Sequence, residues 1–367
     1  MLNASFADFE THQGVRNQAY IAFSHSLVFV NETDLSKARS YIYDPTSTAI
    51  YGYVLPIIKL FGLLGILTFY FMVYRVREMR NLTNFYLGSL AVADLMVLLT
   101  SGSLLQYEAL VTRTFSNKNY LGPSAGLVFD IKTLFTQIAI FASLFCVVVV
   151  TYERYLAICH PLKHKHVQGM KRAFRSVVFA WSASLVVPVF DFAIFRTLTE
   201  ARCVVFPNDE EFDNLSGLFQ LTALDINYAR AKVVFENISY LVVYLVTFVA
   251  NATLNGLIIH KLWNPNSPGR SSKLSGLHQV TLMLVLNSTV CFATLLPLTV
   301  SSLTNTFKPE AEFGDKVIAI PPLFVVLNSA INTVLFNVGS RRYRNAFLEA
   351  FRCRSRERKP QSNDIAL

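Results

Sequence analysis

Charged side chains set inside oily surroundings are the chemically informative residues of this chain. Asp94 stands near the middle of a long apolar run. A carboxylate buried there is costly unless a cation or hydrogen bonds compensate it. On this residue alone two readings stay open, a site for an ion and a polar network bridged by water. Lys59 and Lys132 lie inside two other apolar runs. If they face an internal cavity, they attract an acidic group or a carboxylate terminus of a ligand. Asp130 precedes Lys132 by two places, so on a helix the two point to different faces and form no simple internal pair. Glu153 and Arg154 close the third apolar run; by composition alone Arg154 reads as an arginine snorkelling to a membrane interface. No catalytic constellation accompanies these groups. His160, His164, His166, His260 and His278 sit at run boundaries without metal-ligand spacing. The cysteines, Cys146, Cys159, Cys203, Cys291 and Cys353, are odd in number and scattered, which gives neither a zinc site nor a disulfide framework. The expectation is a protein that is not an enzyme.

The elements that position these residues follow from hydropathy. The chain is 53% hydrophobic and only 16% charged, with a mean hydropathy of +0.39. A soluble domain of 367 residues needs more charge to cover its surface. Crossing a hydrocarbon core takes about 20 apolar residues per helix. Such runs recur at 51–75, 82–106, 125–157, 172–196, 234–262, 276–303 and 317–338. The fold expected is therefore an all-α membrane protein, a seven-transmembrane helix bundle over residues 51–338. An N-terminal segment, 1–50, precedes it and a tail, 339–367, follows. The first residues, MLNASFADFETHQG, lack a basic region followed by an apolar core, so the first span is expected to act as its own signal. In the tail, about 340–353, Phe347 and Phe351 are four apart among Arg341, Arg342, Arg344 and Arg352. That pattern predicts a short amphipathic helix on the anionic inner leaflet. Cys353 at its end is a candidate for palmitoylation or a free thiol on a polar tail.

Orientation follows from the basic residues. With the N-terminus outside, the cytoplasmic segments hold Arg75, Arg77 and Arg80; Arg154, Lys163, Lys165, Lys171, Arg172 and Arg175; Lys261, Arg270 and Lys273; and an arginine-rich tail from Arg341 to Lys359. The opposite side carries Asp209, Glu210, Glu211 and Asp213 in one loop. This bias places the N-terminus outside and the chain in the plasma membrane. A net charge of +9 in short blocks between apolar runs excludes nucleic acid as the partner. Asn3, Asn31 and Asn214 begin glycosylation sequons on the outer side, while the sequon at Asn81 falls on the inner side.

Ordered motifs then carry a resemblance. The second span contains Leu90-Ala91-Val92-Ala93-Asp94-Leu95, and the third ends Glu153-Arg154-Tyr155 ahead of Ile158-Cys159-His160-Pro161-Leu162. The fourth carries Trp181 and Pro188, the seventh Asn328-Ser329-Ala330-Ile331-Asn332. Over roughly residues 50–355 the chain resembles the rhodopsin-like (class A) G protein-coupled receptors. The resemblance implies a receptor that binds an extracellular ligand and activates a heterotrimeric G protein. It implies that Asp94 binds a sodium ion with Ser143, Asn328, Ser329 and Asn332, all oxygen donors as a hard cation requires. It implies that Glu153 restrains Arg154 until activation, that Tyr155 belongs to the same switch, and that Pro161 and Leu162 form an apolar knob against the G protein. No other cofactor is expected.

The departures are as informative. The family's Cys at the top of the third span is Phe129, so the usual disulfide to Cys203 is expected to be absent and the outer loop looser. The first span has Gly65-Ile66 for Gly-Asn, and Leu277 stands where some members place an acid facing Arg154. The sixth span reads Thr294-Leu295-Leu296-Pro297, keeping the proline and losing the tryptophan. The seventh has Asn332-Thr333 for Asn-Pro and Phe336 for Tyr; the fifth has Thr247 for Pro and Asn255 for Tyr. Thr136 replaces the aminergic Asp and Val326 the opsin Lys, which argues against an amine or retinal. The long acidic loop at about 197–232, with Asp130, Asp191, Glu236, Glu312 and Asp315 near the helix tops, suits a basic-aromatic peptide. Those acids also follow from the inside-positive rule alone. Pocket candidates are Asp130, Lys132, Thr136, Gln137, Asp191, Glu236 and Leu295. Tyr152 through Tyr155, Asn255-Gly-Leu-Ile-Ile and Asn332 through Asn337 are similar to invertebrate neuropeptide receptors, especially the FMRFamide and myosuppressin group. The altered switches keep two alternatives open: a binding protein that no longer signals (a scavenger or heteromer partner), and a chemosensory receptor for a small molecule. A transporter is disfavoured by the lack of inverted repeats and paired broken helices.

Overall fold

The computed structural model of this chain describes residues 27–31, 39, 42–114, 125–167, 169–195, 197–205, 212, 218–224, 229–263, 274–307, 315–339 and 341–351. Asn3, Asn214 and Cys353 lie outside these, as do the side chains of Asn31 and Cys203. The helices are α1 (Pro45–Arg75), α2 (Leu82–Thr112), α3 (Ala125–Cys159), α4 (Pro161–Val167), α5 (Met170–Ile194), α6 (Ala229–Trp263), α7 (Leu274–Phe307), α8 (Asp315–Gly339) and α9 (Arg341–Phe351). The expected spans one to seven are α1, α2, α3, α5, α6, α7 and α8. Six of these are long and apolar enough to cross a membrane within the described residues, and α8 adds the apolar stretch Ile320–Asn332.

Over Leu55–Arg75 the buried residues of α1 are Leu55, Lys59, Gly62, Ile66, Phe69 and Met72, recurring every three or four positions along one face. Its outer face shows Ile57, Leu60, Phe61, Leu64 and Leu67, apolar side chains suited to lipid. α1 begins earlier than hydropathy predicts, because the Asp44 carboxylate accepts from the backbone of Thr46 and Ser47 and Pro45 occupies the first turn. At Gly62 an added Cβ would stand 3.2 Å from the Ala330 backbone, so α1 and α8 approach as closely as the glycine permits. α2 breaks at Gly102, whose φ of 67° is left-handed. α3 is central, packing against α2, α5, α6 and α7, while α8 closes the ring onto α1 and α2. Trp181 Nε1 donates to Ser89 Oγ at 2.9 Å and fixes α5 to α2.

Two elements depart from the sequence expectation. A three-stranded sheet, β1 (Leu27–Asn31), β2 (Thr197–Val205) and β3 (Leu218–Leu224), lies where a loose outer loop was expected. β1 pairs parallel to β2, and β2 antiparallel to β3, with Cys203 opposite both Phe29 and Leu218. Backbone ladders thus order the loop through Cys203 independently of any disulfide. The other is α4, a short helix that presents Pro161 and Leu162. α9 is amphipathic as predicted, and it also packs on α1: Phe351 lies 5.3 Å from Phe71 and 4.6 Å from Phe347, centroid to centroid. The Tyr343 hydroxyl bonds Asn84 Oδ1 and ties α9 to α2.

Candidate functional site

Three polar groupings lie along α3, at the sheet end, the middle and the Arg154 end of the bundle.

At the sheet end α3, α5 and α6 bring together Asp130, Asp191, Glu236 and Lys232. Lys232 Nζ is 3.4 Å from Asp130 Oδ1 and 3.9 Å from Glu236 Oε1, with its side chain only 6% exposed. Asp191 and Glu236 adjoin each other, and Gln137 adjoins Asp191. Asp191 Oδ1 is buried without a hydrogen-bond partner among the described residues. Like charges so placed repel, and an ammonium or guanidinium among them relieves the repulsion. The structure therefore unites Asp130, Gln137, Asp191 and Glu236 from the predicted pocket. Lys232 is the member that sequence reasoning missed, although its four-residue spacing to Glu236 was visible. Thr136 spends its hydroxyl on the Lys132 carbonyl at 2.8 Å, so it serves the helix. Leu295 is buried in the core cluster.

Lys132 leaves α3 on the other side from Asp130, its ammonium 5.7 Å above the Phe129 ring and close enough to Lys59 to act on it. The position that lacks the family cysteine thus supplies a ring to a lysine.

In the middle, Asp94 is 1% exposed. Its Oδ2 accepts from Asn332 Nδ2 at 2.8 Å. Ser143 and Ser329 stand around the same carboxylate and act on it, although neither hydroxyl meets direct hydrogen-bond geometry among the described residues. Four buried oxygens are left without partners among the described residues: Asp94 Oδ1, Ser143 Oγ, Ser329 Oγ and Asn332 Oδ1. This donor set is all oxygen and carries one negative charge, which fits a hard monovalent cation. Asn328 does not join it. Its Oδ1 accepts from Thr294 Oγ1 at 3.0 Å, which links α8 to α7 beside the altered Thr294-Leu295-Leu296-Pro297. Towards the Arg154 end Asn255 Nδ2 donates to Asn251 Oδ1 at 2.6 Å and Ser288 Oγ at 2.8 Å, while Asn251 reaches Thr151 at 3.4 Å. These amides tie α3, α6 and α7 where the family motif has a tyrosine. Asn251 and Ser288 were not anticipated.

At the far end Tyr86 donates to Glu153 Oε1 at 2.9 Å, and Arg172 and His164 each lie 3.5 Å from the same carboxylate. Glu153 is therefore held by α2, α4 and α5, whereas the Arg154 guanidinium donates to Thr83 on α2. Their side chains, expected as a mutual restraint, are fixed by different neighbours. Arg154 and Glu153 line a cavity of about 620 Å³ with Thr83, Tyr86 and His164. Tyr155 bonds His160 Nε2 at 3.0 Å. Leu162 is 79% exposed at the start of α4, an apolar side chain offered to solvent.

Comparison with known proteins assigns the family. The model of the seven-transmembrane receptors of the rhodopsin family matches residues 67–336. Among relatives, the thyrotropin-releasing hormone receptor of Gallus gallus is 27% identical over 335 residues, covering 83% of this chain and 80% of the relative. Neuromedin-U receptor 2 of Rattus norvegicus is 29% identical over 304 residues, 79% of this chain and 72% of the relative. The human thyrotropin-releasing hormone receptor is 26% identical over 340 residues, 83% and 79%. The chain is a multi-pass membrane protein and belongs to the rhodopsin family of seven-transmembrane receptors.

Proposed function

We propose that this receptor binds an extracellular peptide at the sheet end and activates a heterotrimeric G protein at the Arg154 end. In this reading it sits in the plasma membrane with its N-terminus outside. The observation that carries the reading is the buried meeting of Asp191 with Glu236, beside the Lys232–Asp130 pair, in the half of the bundle covered by β2 and β3. A cationic group of the ligand fits there. Relatives named for thyrotropin-releasing hormone and neuromedin U support a peptide. The narrower likeness to FMRFamide and myosuppressin receptors rests on the sequence motifs alone and sets the order of the screen. Cells expressing the chain are screened with a library of amidated neuropeptides, the FMRFamide group first, and nucleotide exchange is read. Exchange stimulated by one peptide class is the expected result. Specific peptide binding with no exchange would instead mark a binding protein that has lost signalling.

The Asp94 oxygens are proposed to hold sodium through Asp94, Ser143, Ser329 and Asn332, with Asn328 left to Thr294. The ion would supply the counter-charge to Asp94 and hold α2, α3 and α8 together. Agonist affinity is then expected to fall several-fold as sodium replaces choline at constant ionic strength. Asp94→Asn should abolish that dependence, and an Asn variant that keeps the full sodium response would eliminate the site.

A further inference from the structure

The second polar grouping at the sheet end contains no acid. Lys59 lies on the buried face of α1 and is 9% exposed. Its Nζ donates to Gln106 Oε1 on α2 at 3.0 Å. Lys132 of α3 is close enough to repel it. Neither ammonium meets a carboxylate among the described residues. The Gln106 Nε2 amide is buried there as well, without an acceptor among the described residues. Three elements thus aim hydrogen-bond donors and two positive charges at one region, and among the described residues the acceptor serving them is the Gln106 amide oxygen. Two cations so placed, one buried and one half-buried, are costly unless an anion completes them.

We infer that Lys59, Gln106 and Lys132 form an oxyanion subsite that takes a carboxylate of the extracellular ligand. The inference rests on the peptide reading above and names one anionic group of that ligand, which in an amidated peptide is an Asp or Glu side chain. α3 works as a partition: Asp130 faces Lys232 on one side, and Lys132, two residues on, faces Lys59 on the other. The ligand that satisfies both sides is dipolar, with a cationic group towards Asp191 and Glu236 and an anionic group towards α1 and α2. The Phe129 ring beneath Lys132 gives the anionic end an aromatic neighbour.

The test uses the purified full-length receptor in detergent and N-acetylphenylalanine as the probe, with N-acetylphenylalaninamide as its uncharged twin. Sodium and ionic strength are held constant. Thermal unfolding is followed by dye labelling of the buried thiols Cys146 and Cys291. The carboxylate is expected to raise the midpoint and the amide to leave it unchanged. Lys59→Met and Lys132→Met should each weaken the carboxylate effect roughly tenfold or more, because a desolvated charge-assisted partner is lost. Equal shifts with acid and amide, or equal shifts in wild type and both variants, would overturn the subsite. Inorganic phosphate matching the probe would assign the region to a free anion and defeat the ligand carboxylate. Gln106→Glu keeps the question decidable if the methionine variants fail to fold. It supplies an internal carboxylate, so the ligand-free midpoint should rise and the probe response vanish; a lower midpoint with the response intact counts against the inference. The measurement uses neither a G protein nor the natural ligand, so a silent peptide screen and a failed midpoint shift are separate results.

Discussion

Arg154→Ala is expected to reduce ligand-stimulated nucleotide exchange to the unstimulated level while ligand binding persists. Arg154 lines the cavity of about 620 Å³ at the end of α3, and its guanidinium donates to Thr83 rather than to the adjacent Glu153. Glu153 is already engaged by Tyr86, Arg172 and His164. The hydroxyl of Thr83 on α2 is thus a partner that the guanidinium exchanges for an acceptor on a G protein on activation. Hydrogen bonds to charged groups contribute about 1.5–3 kcal/mol each. Losing two of them lowers productive complex formation by about a hundredfold or more. Arg154→Lys keeps the charge and loses the fork, so it should recover only part of the activity. Radioligand binding measured beside exchange separates this from misfolding. Full exchange in the Ala variant would remove the assigned role. Glu153→Gln supplies the complementary reading, because its three neighbours lie on α2, α4 and α5. Its effect should appear as altered packing of those helices rather than as release of Arg154.

The membrane architecture was legible because hydropathy over twenty residues is a strong signal and charge blocks mark the ends. What escaped was carried by short or distant signals. Residues 45–50 read as polar chain, yet Asp44 with Pro45 is a helix start whose apolar run comes only afterwards. Two of the strands sit in the acidic loop and the third in the N-terminal segment, and pairing between residues as far apart as Leu27 and Ala201 leaves no local periodicity. That oxygens gather around Asp94 was readable because those residues follow ordered motifs, whereas the structure turns Asn328 to Thr294. Asn328 is one helical turn from Asn332, about 6 Å along α8, which puts its amide level with Thr294 instead of Asp94. Asn255 was noticed as a departure from the usual tyrosine, but its use was not, since Ser288 lies on another helix. Lys59 and Lys132 were visible singly; that both turn inward depends on which face of α1 and α3 is buried, and only packing decides that.

Lys232→Met is the substitution expected to damage the fold most. Lys232 is nine-tenths buried, and its ammonium stands between Asp130 on α3 and Glu236 one turn along α6. Removing one partner of a buried ion pair costs about 3–5 kcal/mol, because the remaining charge is left in a low-dielectric interior. That is a large share of a typical stability of roughly 5–15 kcal/mol, so little receptor should reach the cell surface. The same reasoning predicts its rescue. With Asp130→Asn and Glu236→Gln in the same chain, two of the three carboxylates that Lys232 served are neutral, and surface expression should return part of the way towards wild type. A double-mutant cycle between Lys232 and Asp130, read by thermal unfolding, should give a coupling of about 1–3 kcal/mol. The rescued triple variant then tests function apart from folding: it retains Asp191 but has lost the adjoining carboxylates, and a cationic peptide should bind it far more weakly than wild type. Wild-type stability in Lys232→Met alone would mean that the carboxylates do not depend on this lysine, and the case for a cation-seeking pocket would have to rest on Asp191 and Glu236 without it.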